Sequence, residues 1–390
     1  MRRLLALTTS LMFLELLFFA VLSPLLPGLK HDLDLSTSQV GLLVAMYAIG
    51  CAAGAIPALM IVVRLGVRST ALLSLATFAL TSVLFGLVHG YDALLIARFG
   101  QGLAGATCWT SAMLWLLEAT PVERRGELLG VAFGISEIGA IAGPAAGGIA
   151  AGVGRGATFI AIACVCALLA LLTSRFSAPP PPAEKRLGLG TALASAAIRK
   201  IMWITLVPAT LIAAISVLAP LQQHGLGAGS GEIAATFAAA AVIGIAVRPF
   251  YGRWSDREGP LRPVRLGLLV CTPVLVALPW MDTRVSAAVL IALALVLIGV
   301  LWAPVMVLLS DACSAAGVGQ LMVVAMMDLT WPPGNIIGAA GGGALSQVAG
   351  QRVAYAAMGV AVLVAFFALS GRFAPVAEPL AADGLPAGSS

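Results

Sequence analysis

Runs of about twenty apolar residues recur along the whole chain, and no other feature constrains its folding as strongly. Counted between polar breaks, they number twelve: 4–26, 38–62, 70–89, 92–117, 127–151 and 156–174, then 201–221, 232–251, 263–281, 285–309, 320–348 and 353–371. A helix of about 20 residues spans roughly 30 Å of hydrocarbon, so each run is expected to cross a bilayer once. Of 390 residues, 60% are hydrophobic and 10% are charged, with a mean hydropathy of +1.03. So few charges cannot cover a water-soluble fold, which excludes a cytosolic enzyme, a secreted module and a disordered chain. The expected fold class is all-α integral membrane, with twelve transmembrane helices.

The longest non-spanning stretch, 175–200, divides six segments from six. It holds Pro179 to Pro182 and then Glu184, Lys185 and Arg186, and reads as a linker. The expected organisation is a six-helix half at 1–174, a cytoplasmic linker at 175–200, a second half at 201–371 and a cytoplasmic tail at 372–390. The halves look related. Gly139, Gly143, Gly147 and Gly148 in segment five precede Gly334, Gly338, Gly342 and Gly343 in segment eleven by 195 positions each (139 to 334). Arg64-x-Gly66 after segment two mirrors Arg257-x-Gly259 after segment eight, 193 positions on (64 to 257). A six-plus-six repeat is a transporter architecture, with the substrate held near midplane between pseudo-symmetric halves.

Basic residues set the orientation. With the N-terminus in the cytosol, 17 Lys and Arg fall on the inner side, among them Arg2, Arg3, Arg64, Arg68, Arg124, Arg125, Lys185, Arg257 and Arg372. Four fall outside (Lys30, Arg155, Arg284 and Arg352), and Arg98 lies within a segment. The expected location is the cell membrane, multi-pass, with both termini cytoplasmic. The pI near 9.1 does not point to nucleic acid, because the basic residues form no patch. The six cysteines show no metal-ligand spacing beyond Cys164-x-Cys166, whose side chains diverge by about 200° on a helix. They read as small buried hydrophobes, and no metal or cofactor is expected. Arg2-Arg3 ahead of the first run does not make a signal peptide, since that run is too long and ends in Ser23-Pro24.

Segment five carries Gly130, Gly139, Gly143, Pro144, Gly147 and Gly148. Small residues every four positions make a flat face for close helix packing, and Pro144 frees a carbonyl and bends the helix. A generic packing seam would show one such pair; six matched positions resemble the antiporter motif of the major facilitator superfamily, in its twelve-helix drug–proton antiporter branch. Arg98-Phe99-Gly100-Gln101-Gly102 in segment four looks like that superfamily's intramembrane arginine motif. An arginine at that depth costs at least about 2.5 kcal/mol unless paired or wetted, and the plain alternative is snorkelling to the outer interface. Gly252-Arg253-Trp254-Ser255-Asp256-Arg257-Glu258-Gly259 after segment eight resembles the cytoplasmic gate motif. Gly252 would allow close approach, Asp256 would cap a neighbouring helix and Arg257 would pair across the loop. The first-half copy departs from the pattern: Val63 stands for the acid and Leu59 for the glycine, leaving Arg64, Gly66 and Arg68. The resemblance spans essentially the whole chain and implies the major facilitator fold.

Three acids lie inside segments. Counted from the inner end, Glu15 is roughly 16 Å deep, Glu137 roughly 15 Å and Asp328 roughly 12 Å. Burial raises a carboxyl pKa and a nearby cation or water lowers it, so a site alternating between those environments takes up and releases a proton. The plainer alternative is that each acid bonds backbone at a helix break, as Trp331-Pro332-Pro333 invites for Asp328. Glu15-x8-Pro24-x-x-Pro27 and Asp328 six residues before Gly334 look like features of vesicular monoamine transporters, where such acids serve cation binding and proton coupling. The intramembrane acids of that family's helices seven and ten have no counterpart here, which leaves the substrate open. Glu118 reads as structural.

The reading is a proton-coupled antiporter exporting small amphipathic or hydrophobic compounds by alternating access. Glu15, Arg98, Glu137 and Asp328 would handle substrate and protons, and Trp109, Trp115 and Trp331 are candidates to line the site. The expected partners are a small-molecule substrate, protons and lipid, with the protein a monomer. A permease for sugars, nucleosides or amino acids is the alternative, though Asn335 is the chain's sole asparagine. An intramembrane enzyme is the distant rival: His31, His89 and His224 are isolated, and neither His-Glu-x-x-His nor Gly-x-Ser-x-Gly occurs.

Overall fold

Segment one ends at two prolines, and each restarts the helix. A proline lacks the N–H of the helical ladder but suits a first turn. Accordingly α1 (Arg2–Ala20) gives way to a 3₁₀ turn led by Pro24 and then to α2 (Leu26–Asp32), with Pro27 in its first turn. The computed structural model describes residues 2–120, 125–177, 189–259, 261–318 and 320–370, and every regular element in them is helical. Most of the expected linker, the expected tail, and Arg124, Lys185, Arg186 and Arg372 lie outside the described residues, as do the local surroundings of Gly130, Gly252 and the Asp256 side chain.

α3 (Thr37–Leu87) runs 51 residues and contains two crossings. A Ser36–Gln39 capping box opens it, with Gln39 N–H donating to Ser36 Oγ at 3.2 Å and Ser36 N–H to Gln39 Oε1 at 2.8 Å. The sequence suggests a loop over 63–69; the structure reduces it to one residue, Gly66, at φ 79° and ψ 163°. α4 (Tyr91–Ala119) follows, then α5 (Arg125–Ser136) and α6 (Ile138–Val153), broken at Glu137, and α7 (Arg155–Ser174). After the short α8 (Leu189–Ala194) come α9 (Ala196–Gly225), α10 (Ser230–Glu258) and α11 (Leu261–Ala277). The tenth crossing is α12 (Arg284–Val300) with α13 (Trp302–Ala315). The eleventh is α14 (Gln320–Ile336), a π turn at Ile337–Gly341 and α15 (Gly342–Ala349). The π turn falls just beyond Pro332 and Pro333, whose missing donors free the carbonyls of Asp328 and Leu329 one turn earlier. α16 (Gln351–Ser370) is the twelfth.

α1 packs on α4, α5 and α6, while α3 packs on α4 and α7; further on, α9 meets α12, α13 and α14, and α11 meets α16. Large apolar side chains cover the outside, such as Leu80, Val153, Val285, Val364 and Phe367. Such a surface suits lipid. In lipid, helices associate through close backbone packing more than through burial of apolar area.

Among the contacts that join the early helices to the late ones, several lie at the end remote from Arg2. Gly148 on α6 faces Ala234 on α10, where an added Cβ would come within 3.0 Å of the Ala234 Cβ. Gly41 on α3 faces Ala339 and Gly343, where an added Cβ would sit 2.4 Å from the Ala339 carbonyl oxygen. There the Thr37 N–H also donates to Gln347 Oε1 at 2.9 Å. The bundle is closed at this end.

Candidate functional site

The glycines of segment five bring α6 down onto α1. A Cβ on Gly139 would lie 2.3 Å from the Phe13 carbonyl oxygen, one on Gly143 2.8 Å from that of Leu17, and one on Gly147 2.1 Å from that of Val21. Segment eleven repeats this against α9. Gly334 faces the Leu206 carbonyl, Gly338 that of Thr210, and Gly342 the Ala214 side chain. The expected repeat is thus a repeat of contacts: each glycine lies 195 positions from its counterpart and each partner 193 (13 to 206, 17 to 210, 21 to 214). Carbonyl approach this close leaves no room for a side chain at Gly139, Gly143, Gly147, Gly334 or Gly338.

This packing sets Glu15 where the other two intramembrane acids act on it. Glu15 on α1 is 7% exposed, and the Asp328 and Glu137 charges act on its carboxyl. Asp328 stands half-buried on α14, and Glu137 half-buried at the break between α5 and α6. The Glu137 side chain makes no cap bond to α6.

The main partner of Glu15 is one that sequence reasoning missed. The Tyr47 hydroxyl donates to Glu15 Oε1 at 3.0 Å and lies 3.3 Å from the Glu15 carbonyl oxygen. Tyr47 is 1% exposed. A tyrosine ten residues inside a span, away from the interface where tyrosines concentrate, was the available signal.

Arg98 is 1% exposed and does not snorkel. Its Nη1 donates to the Phe18 carbonyl at 3.0 Å and to Gln101 Oε1 at 2.9 Å, and its guanidinium carbon lies 4.8 Å from the Tyr47 ring centre. Phe19 bridges the halves, 6.0 Å from Tyr47 and 5.0 Å from Trp331 between ring centres. Trp109 packs on Phe133 at 5.6 Å. Trp115 is fully buried in the core formed by α1, α3, α4, α5 and α7. Asn335 turns its amide to the Trp331 carbonyl at 2.9 Å.

At the Arg2 end, Gly259 adopts φ 79° as Gly66 does. Arg262 donates to Glu258 at 3.0 Å, and together with Trp254 holds the Glu258 carboxyl below the usual range. In the first-half loop, Arg64 is exposed and Arg68 donates to the Ser174 carbonyl at 2.7 Å.

Comparison with known proteins defines the class. Residues 8–327 match the Major Facilitator Superfamily, and the chain belongs to that family. It is a multi-pass membrane transporter, not an enzyme. The chain is 29% identical over 167 residues to "Multidrug resistance protein 2" of Bacillus subtilis (strain 168), which covers 43% of this chain and 42% of that protein. The alignment thus spans less than half of that relative's length. With "Multidrug resistance protein 1" of the same organism it is 24% identical over 283 residues, 70% of this chain and 73% of that one. A bacterial homologue of the human lysosomal transporter Spinster, solved in an inward-facing and occupied conformation, superposes with a TM-score of 0.77 at 17% identity, covering 94% of this chain and 95% of that one.

Proposed function

We propose that the protein is a proton-coupled antiporter that exports small amphipathic or hydrophobic compounds from the cytosol. The observation that carries this reading is the buried Glu15 carboxyl, held by the Tyr47 hydroxyl at 3.0 Å and acted on by the charges of Glu137 and Asp328 from two other crossings. Like charges in low dielectric cannot all ionise cheaply, so such a group exchanges protons or takes a cation. Phe19, Trp331 and Trp109 supply flat apolar surface nearby, suited to amphipathic ligands. The names of the two Bacillus relatives agree with this substrate class.

Under this reading both termini are cytoplasmic, as the basic residues indicate. The closed end at Gly41–Gly343 and Gly148–Ala234 is then the outer end. The halves 1–174 and 201–371, joined by the 175–200 linker, rock about the acids, and the protein works as a monomer. The test is a substrate screen in inverted membrane vesicles under an imposed pH gradient. Accumulation of amphipathic dyes driven by an acidic lumen supports the reading; accumulation indifferent to the gradient overturns it.

A further inference from the structure

Arg98 and Glu15 are buried on neighbouring helices, yet among the described residues they form no ion pair. Tyr47 stands between them. Its hydroxyl bonds Glu15 Oε1 at 3.0 Å, and its ring lies under the Arg98 guanidinium at 4.8 Å. The hydroxyl occupies a notch on α4: a Cβ at Gly105 would come within 2.6 Å of it. One turn away on the same helix, Gly102 allows α3 and α4 to touch, since a Cβ there would lie 2.0 Å from the Tyr47 carbonyl oxygen. Arg98 is not saturated. Its Nε–H has no partner among the described residues, so it keeps a donor suited to a carboxylate.

We propose that Tyr47 is the positioning residue of the Glu15 carboxylate, fixing it with the hydroxyl seated against Gly105 and keeping Arg98 from closing on it. A direct guanidinium–carboxylate pair in this dry setting would be bidentate and hard to break. It would commit Glu15 to one partner and remove it from exchange with protons or a cationic ligand. A neutral hydroxyl orients the acid without claiming its charge. The charged and titratable groups around Glu15 are Tyr47 and Cys51 on α3, Arg98 and Cys108 on α4, Glu137 between α5 and α6, and Asp328 on α14. Of these only Arg98 is a cation, so Tyr47 separates Glu15 from the one positive group in the set. This inference rests on the proposed role of Glu15 in ligand and proton handling.

The experiment uses the purified full-length protein and tetraphenylphosphonium as the probe cation, with binding measured from pH 5 to 9. Tyr47→Phe keeps the ring and removes the hydroxyl; it is expected to shift the pH midpoint of binding. Tyr47→Leu removes the ring as well, and is expected to weaken binding about tenfold, the scale of one hydrogen bond to a charged group. Adding Arg98→Gln to Tyr47→Leu is expected to restore most of that loss, because the competing cation is gone. Gly105→Ala, which crowds the hydroxyl from the other side, is expected to shift the midpoint in the wild-type background and to have no effect on top of Tyr47→Phe. Superimposable pH profiles for Tyr47→Phe and wild type, with Glu15→Gln altered, would overturn the role of Tyr47 alone. A Glu15→Gln protein that keeps the wild-type profile would overturn the role of Glu15, and that of Tyr47 with it.

Discussion

Gly66 and Gly259, 193 positions apart (66 to 259), share one backbone conformation, with φ 79° at both and ψ of 163° and 154°. This region is open almost only to glycine, and any other residue there costs on the order of 1–3 kcal/mol. The two loops therefore have the same turn built into them while differing in their side chains. Gly66→Ala and Gly259→Ala should each lower the thermal midpoint of the detergent-solubilised protein, whereas Gly190→Ala, at a glycine with open space around it, should not. A midpoint for either loop variant equal to wild type would show that the turn is not under strain.

The side-chain difference leads to a second expectation. The acid of the gate motif survives only as Asp256, its first-half equivalent being Val63. Asp256→Asn should reduce transport at least several-fold, while polar or apolar replacements at Val63 leave it near wild type. Restoring an acid with Val63→Asp should stabilise the outward-open state by re-forming the missing pair. Equal tolerance at the two positions in a transport assay would contradict this account of the loops.

The glycine seam grades its own substitutions. A methyl group at Gly147 or Gly338 would meet carbonyl oxygens at 2.1 and 2.0 Å, and backbone cannot step aside as a side-chain end does. At Gly152 nothing lies within 4 Å. Gly147→Ala and Gly338→Ala should cost about 1–3 kcal/mol by overpacking and abolish export, and Gly143→Leu should do so more severely. Gly152→Ala should be silent. Export rates in cells expressing each variant at matched levels check the order; export by Gly338→Ala at the wild-type rate would mean that the seam opens freely.

At the closed end, Thr37 and Gln347 are bonded across α3 and α15. Cysteines at the two positions should crosslink readily with a short bifunctional reagent, and locking them should stop turnover. Substrate from the outer side should lower the crosslinking yield by favouring the open state. A crosslinked protein that still transports would show that this end does not open in the cycle.

Much of this arrangement is legible in the sequence because the period of apolar runs is set by bilayer thickness and the glycine motif by backbone contact. Both are local constraints that a linear pattern records. The contact pairs Gly143–Leu17 and Gly338–Thr210 even keep the internal repeat. Relations between helices are less visible. The depth of Arg98 alone fits both a snorkelling and a buried side chain; its partners, the Phe18 carbonyl and Gln101, decide for burial. Tyr47 lies 32 positions from the acid it holds, on a helix whose rotation no periodicity fixes, because both faces of α3 are apolar. Between the second and third crossings the expected loop at 63–69 shrinks to Gly66, since one glycine suffices for the break.

Under the proposed function the buried acids couple export to protons, with Asp328 in the second half carrying the proton and Glu15 in the first half selecting charge. The most direct measurement compares wild type, Asp328→Asn and Glu15→Gln in inverted vesicles, reading dye uptake under an imposed pH gradient beside equilibrium binding against pH. Asp328→Asn should bind ligand without pH dependence and lose gradient-driven uptake, while Glu15→Gln should lose cationic substrates by about tenfold and keep neutral ones. Gradient-driven uptake retained by Asp328→Asn at the wild-type rate would contradict the claim and move the proton path to Glu137.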